Sequence, residues 1–134
     1  MSLDISPLVN AIERLREGLV RHQREPGDDQ LRDGLIQRFE FTYELCHRVL
    51  RRFIRQTAAT PDDVDRMAFQ DLIRTANQQG LLLGDWPAWQ RYRDARARTS
   101  HAYDAAAAQA VAAAIPGFLA EAEYLRDELQ RRLA

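Results

Sequence analysis

Residues 31–53, LRDGLIQRFEFTYELCHRVLRRF, place Leu31, Leu35, Phe39, Thr42, Cys46, Val49 and Phe53 three or four apart. That spacing is the signature of one buried stripe on an α-helix, and it predicts a helix over about residues 30–56. The same pattern extends in both directions. Upstream, Ile5, Leu8, Ile12, Leu15 and Leu19 predict a helix over 4–24, closed by Pro26-Gly27-Asp28-Asp29, which also offers a cap to the next helix. Downstream, Thr60-Pro61-Asp62-Asp63 supplies a threonine cap, a first-turn proline and acids facing the helix dipole. The helix it opens should run to Gln79, where Gly80 stops it. Asp85-Trp86-Pro87 opens a fourth helix in the same way. In a last helix over 102–133, Val111, Ile115, Phe118, Ala122, Leu125, Leu129 and Leu133 keep register across Pro116-Gly117, so the proline should kink the helix without ending it. Nothing alternates with period two. The expectation is an all-α fold: a single domain over 1–134, an antiparallel up-and-down four-helix bundle with a long, kinked C-terminal helix.

Composition narrows the class. A chain of 134 residues with 46% hydrophobic and 29% charged residues has the make-up of an ordered globular domain. No apolar run comes near the roughly 20 residues of a membrane span, so no membrane partner is expected. Met1-Ser2-Leu3-Asp4 lacks the basic and apolar start of a signal peptide. Cys46 is the single cysteine, which suits a reducing compartment, and a cytoplasmic location is expected. All 19 basic residues are arginine. The absence of lysine excludes Schiff-base chemistry and a phosphate-binding P-loop lysine from this chain, while arginine offers a planar fork suited to phosphate or carboxylate.

Several constellations carry no chemistry. His22, His47 and His101 lack paired ligand spacing, so no metal site is expected, and nothing calls for a cofactor. Asp63-Val64-Asp65 resembles a nucleotidyltransferase carboxylate pair but lacks the strand and the glycine-serine turn such a site needs; Asp62, Asp63 and Asp65 read as first-turn acids. Cys46 reads as core.

The fourth helix differs. Arg91, Arg93, Arg96 and Arg98 face one acid, Asp94, and lead into Thr99-Ser100-His101. Trp89, Arg96 and Tyr103 are spaced seven apart, and such residues lie within about 20° of one another on a continuous helix. An arginine in line with a buried tryptophan needs a partner, and this face argues for a homodimer. On an unbroken helix Arg96 would stack with Tyr103 and His101 would point away. Thr99-Ser100 favours a break, which would let His101 turn back towards Arg96. A histidine that moves a proton and an arginine that stabilises phosphorane charge can cleave RNA without metal. A capped junction with a satisfied histidine accounts for the same residues.

Two segments carry a resemblance. Residues 32–50, RDGLIQRFEFTYELCHRVL, resemble the second-helix signature of the nucleotidyltransferase substrate-binding protein family. Residues 96–104, RARTSHAYD, resemble that family's second motif, R-N-x-T-S-H-x-Y, and the Gly80-Leu81-Leu82 and Trp86 to Trp89 stretches also fit. The family belongs to the HEPN superfamily and includes the HepT toxins, paired with a minimal nucleotidyltransferase antitoxin, MntA. The resemblance implies a dimerising four-helix bundle, with Arg96 and His101 as a ribonuclease pair in a cleft at the dimer interface. Tyr103 would be the hydroxyl that the partner modifies with AMP, with Arg93, Arg98, Thr99, Ser100 and Asp104 in support. An older interpretation makes such a chain a non-catalytic subunit binding nucleotide or substrate; RNA or a nucleotide is the ligand expected. Two positions depart from the pattern: Ala97 replaces a polar residue, and His47 replaces an aromatic.

Overall fold

In the computed structural model, which describes residues 3–134, six α-helices follow one another: α1 (Ser6–Arg24), α2 (Asp29–Thr57), α3 (Pro61–Asp65), α4 (Phe69–Gln78), α5 (Trp86–Arg98) and α6 (Ala105–Leu133). Met1 and Ser2, part of the start read for a signal peptide, lie outside the described residues. There is no strand among the described residues. Asp28 caps α2 by accepting from the backbone N–H groups of Gln30 and Leu31 at 2.9 and 3.1 Å. Every member of the α2 stripe from Leu35 to Phe53 is buried, and Leu31 at its start is half-buried.

The direction of α1 against α2 follows from their contacts. The Thr42 hydroxyl lies 3.4 Å from the Ala11 carbonyl, Arg38 donates to the Arg14 carbonyl, and Gly18 lies against Arg38 and Leu35. As one number rises the other falls, so the two helices run antiparallel. Between α5 and α6, Tyr92 meets Gly117 and Phe118, and Ala95 and Arg98 line a cleft with Ala114 and Ala110, which is again antiparallel. Helices α2, α5 and α6 meet at an aromatic centre. Phe118 of α6 meets Phe39 of α2 edge-on at 5.0 Å, and Trp89 and Tyr92 of α5 at 6.2 and 5.5 Å. Phe39, Trp89 and Phe118 are fully buried, each contributing about 1.5–3 kcal/mol by area alone.

Helix α6 runs unbroken through Pro116, and its stripe from Val111 to Leu129 is buried as the register predicts. By length and composition α6 is apolar enough to cross a membrane, contrary to the expectation that no such run exists. Its apolar stripe is spent on the bundle core.

Two other expectations are corrected. The helix expected over 60–79 is two, α3 and α4, parted at Arg66-Met67-Ala68, where Ala68 is extended. Arg51 of α2 donates to the carbonyls of Val64 and Met67 at 2.7 and 3.0 Å, bracing the break from another helix. Thr60 sits at the cap position of α3, yet its side chain makes no capping bond. The second correction is at the last helix, which begins at Ala105 and not at 102. Gly80 does close α4: its φ of 74° permits the bonds Gly80 N–H to Asn77 and Leu81 N–H to Ala76, with Ala76 and Leu81 both buried.

Candidate functional site

Between α5 and α6 the chain makes one 3-10 turn, Thr99–His101. Side-chain chemistry explains why α5 stops there. The Thr99 hydroxyl donates to the Arg96 carbonyl at 2.7 Å, and the Ser100 hydroxyl to the Ala97 carbonyl at 3.1 Å. Such back-bonding competes with the helical ladder. The backbone then tightens through Ala102 N–H to Thr99 and Asp104 N–H to His101, and the Asp104 carboxylate caps α6 by accepting from Ala106 N–H at 3.2 Å. Thr99 is buried, whereas Ser100, His101 and Asp104 face solvent. Tyr103 is 88% exposed, and its ring meets the His101 imidazole edge-on at 6.2 Å.

Arg96 is held on the bundle side of this turn. Its Nε donates to Glu44 of α2 at 3.0 Å and its Nη1 to the Thr99 hydroxyl at 3.1 Å, while Glu40 lies 3.8 Å from Nη1. No hydrogen bond joins Arg96 to His101 among the described residues. Arg96 is held by Glu44 and Thr99, and the ring beside His101 is that of Tyr103. The stacking of Arg96 on Tyr103 is replaced, because the helix breaks and His101 is the ring neighbour of Tyr103. Trp89 is buried and Arg96 is paired inside one chain, so this face makes no demand of its own for a second copy.

The four arginines do not form one stripe. Arg93 lies over the Phe69 ring at 5.7 Å, on the same side as Arg96. Arg91 and Arg98 line a separate shallow cleft of about 240 Å³ with Asp94, Ala95, Ala110 and Ala114. His47 packs edge-on against Phe69 at 4.5 Å with its Nε2 3.2 Å from Arg51, and burial, then the Arg51 charge, push its pKa down. Cys46 is enclosed, and burial pushes its thiol pKa far up, which leaves an inert core residue. No group of three metal-ligating side chains occurs among the described residues.

Glu40 and Glu44 are the members of this site that sequence reasoning missed. A signal was present: like charges four apart disfavour an isolated helix, so Glu40 and Glu44 on one face call for a cation. Glu121 was missed as well. It is 1% exposed and accepts from Leu83 N–H and Gly84 N–H at 2.6 and 2.7 Å, fixing the loop that leads into α5. A Cβ on Gly84 would stand 2.7 Å from the Glu121 carboxylate, so this close approach requires glycine.

The family described as nucleotidyltransferase substrate binding protein like matches residues 3–131. The chain belongs to that family. A relative from Haemophilus influenzae named probable ribonuclease HepT is 43% identical over 104 residues, covering 78% of this chain and 70% of that protein. A solved Haemophilus influenzae structure, described as revealing the fold of a substrate-binding domain of a nucleotidyltransferase, superposes with a TM-score of 0.89 at 36% identity. That match covers 95% of this chain and 99% of the other. Within this substrate-binding family, the bundle places the R-x-x-T-S-H-x-Y segment at the α5–α6 turn.

Proposed function

We propose that this chain is a metal-independent endoribonuclease of the HepT type and the toxin half of a pair, silenced when a minimal nucleotidyltransferase partner places AMP on Tyr103. The observation that carries the reading is the turn itself: it presents His101 and Tyr103 together on open surface, next to an arginine whose orientation is fixed. The name of the 43% identical relative supports the ribonuclease assignment.

In such a reaction the ribose 2′-oxygen attacks the adjacent phosphorus, the bond from phosphorus to the 5′-oxygen breaks, and a 2′,3′-cyclic phosphate and a 5′-hydroxyl result. An imidazole takes the 2′-proton and another returns one to the leaving oxygen, while arginine stabilises the phosphorane charge. The motif has one histidine per chain, so the pair of imidazoles comes from a homodimer, with two exposed turns sharing a cleft. In the silencing step the Tyr103 oxygen attacks the α-phosphorus of a nucleoside triphosphate. Pyrophosphate leaves, and a base on the partner takes the phenol proton. The phosphodiester then occupies the place of an RNA phosphate.

A second reading, a non-catalytic nucleotide-binding subunit, has its own support. Glu40 and Glu44 already neutralise Arg96, and Ala97 brings no polar atom to the site. Purified, unmodified protein decides between them. The ribonuclease cuts RNA in the presence of a chelator and slows growth when expressed alone, and His101→Ala or Arg96→Ala lowers the rate by about 10²–10⁴-fold. Intact RNA and normal growth with the unmodified protein would leave the binding subunit.

A further inference from the structure

The geometry points to Glu44 as the positioning residue of this site: it clamps the Arg96 guanidinium so that one amino group is left to meet a phosphate. This rests on the ribonuclease reading above. The fork of Arg96 is held at two of its three nitrogens, Nε by Glu44 at 3.0 Å and Nη1 by the Thr99 hydroxyl at 3.1 Å. Thr99 is itself fixed, because its hydroxyl donates to the Arg96 carbonyl at 2.7 Å and its side chain is buried. Nη2 has no hydrogen bond among the described residues and keeps both of its N–H donors for an anion. Arg96 is therefore aimed before any ligand arrives, and a preset charge avoids reorganisation during the reaction.

Ala97 brings no polar atom to the clamp, which comes from another helix. A polar side chain beside Arg96 in sequence could orient it, but a methyl group cannot. The anchor is instead supplied from α2, 52 residues away. Glu40, 3.8 Å from Nη1, adds a second carboxylate on the same side and closes that direction to an incoming phosphate. Two carboxylates around one arginine also repel RNA, so the arrangement favours turnover over tight binding of the substrate.

Positioning and masking make opposite predictions for the same variants. With a fixed RNA substrate, Glu44→Ala lowers kcat by about 10²-fold, as misplacement of a catalytic group does, and lowers KM because the repelling charge is gone. Glu44→Gln, which keeps an acceptor oxygen but not the charge, recovers most of that loss and lowers KM. An increase in cleavage by Glu44→Ala would overturn the proposal, since it would mean that Glu44 only masks Arg96.

A second measurement does not depend on cleavage. In NMR titrations with a DNA oligonucleotide, which has no 2′-hydroxyl to react, the Arg96 side-chain N–H signals of the wild type and of Glu44→Gln shift on binding. In Glu44→Ala they are broadened and respond weakly. Equal responses in all three proteins overturn the clamp. If the wild type fails to cut RNA but the DNA titration behaves as stated, the ribonuclease reading falls and Glu44 stands as the residue that positions Arg96 for phosphate.

Discussion

Trp89 and Tyr103 are aromatic residues two seven-residue steps apart on one reading frame, with Arg96 midway, and the structure treats them as opposites. Trp89 is fully enclosed against Phe69, Tyr92 and Phe118, whereas Tyr103 is 88% exposed. A continuous helix would have laid both on one face. The hydroxyls of Thr99 and Ser100 prevent that by taking the carbonyls of Arg96 and Ala97 and turning the chain outward. The core end of α5 is thus built for rigidity, and the junction that follows it displays side chains. Arg96 stands at the boundary and is held from the core side by Glu44.

The largest effect expected from this contrast is on stability at the core end. Trp89→Ala removes the ring that joins α4, α5 and α6, and it should destabilise the fold by about 3–5 kcal/mol, measured by chemical denaturation. A loss no larger than that of a surface substitution would show that the aromatic centre is not where the fold's stability lies, and the contrast would fail.

What was legible in the sequence follows the same boundary. The α2 stripe, the Asp28 and Asp85 caps, the Gly80 stop and the register of α6 through Pro116 are local patterns, and each is found where the spacing put it. The division of α3 from α4 was not legible, because the residue that supports it, Arg51, reaches the Val64 and Met67 carbonyls from another helix. At the site, the turn at Thr99-Ser100 was readable from hydroxyl chemistry. The Glu40 and Glu44 partners of Arg96, and the Glu121 clasp on Leu83 and Gly84, pair residues 37 or more positions apart in the chain and leave only indirect traces in local pattern.

A smaller effect belongs to that clasp. Glu121→Ala leaves the Leu83 and Gly84 N–H groups without their carboxylate and should cost about 1–3 kcal/mol. Burial raises the Glu121 pKa above the ordinary 4.5, against the lowering effect of those two bonds. The folded chain therefore holds this proton to higher pH than the unfolded chain does. The contribution of Glu121 to stability is full below the unfolded pKa and declines as pH rises through the folded one. Unfolding free energies measured from about pH 4 upward should show that decline in the wild type and a flatter profile in Glu121→Gln. Identical profiles would mean that Glu121 titrates as it would in water.

The smallest effect on stability, and the sharpest on function, is expected at Tyr103. Its side chain is exposed and, among the described residues, its one ring contact is with His101, so Tyr103→Phe should change stability by no more than about 0.5 kcal/mol. The same exposure leaves the phenol within reach of the active site of the proposed partner. A core tyrosine would have had to leave the bundle first, at the cost of its buried area; Tyr103 does not. Co-expression with a minimal nucleotidyltransferase of the proposed kind, followed by intact-mass analysis, should therefore find AMP added to the wild type and absent from Tyr103→Phe, with both proteins equally stable. An adduct that persists in the phenylalanine variant would move the modification to another side chain. An adduct that never forms with an active partner would leave Tyr103 exposed for some other contact, and the display role of the junction would then need a different ligand.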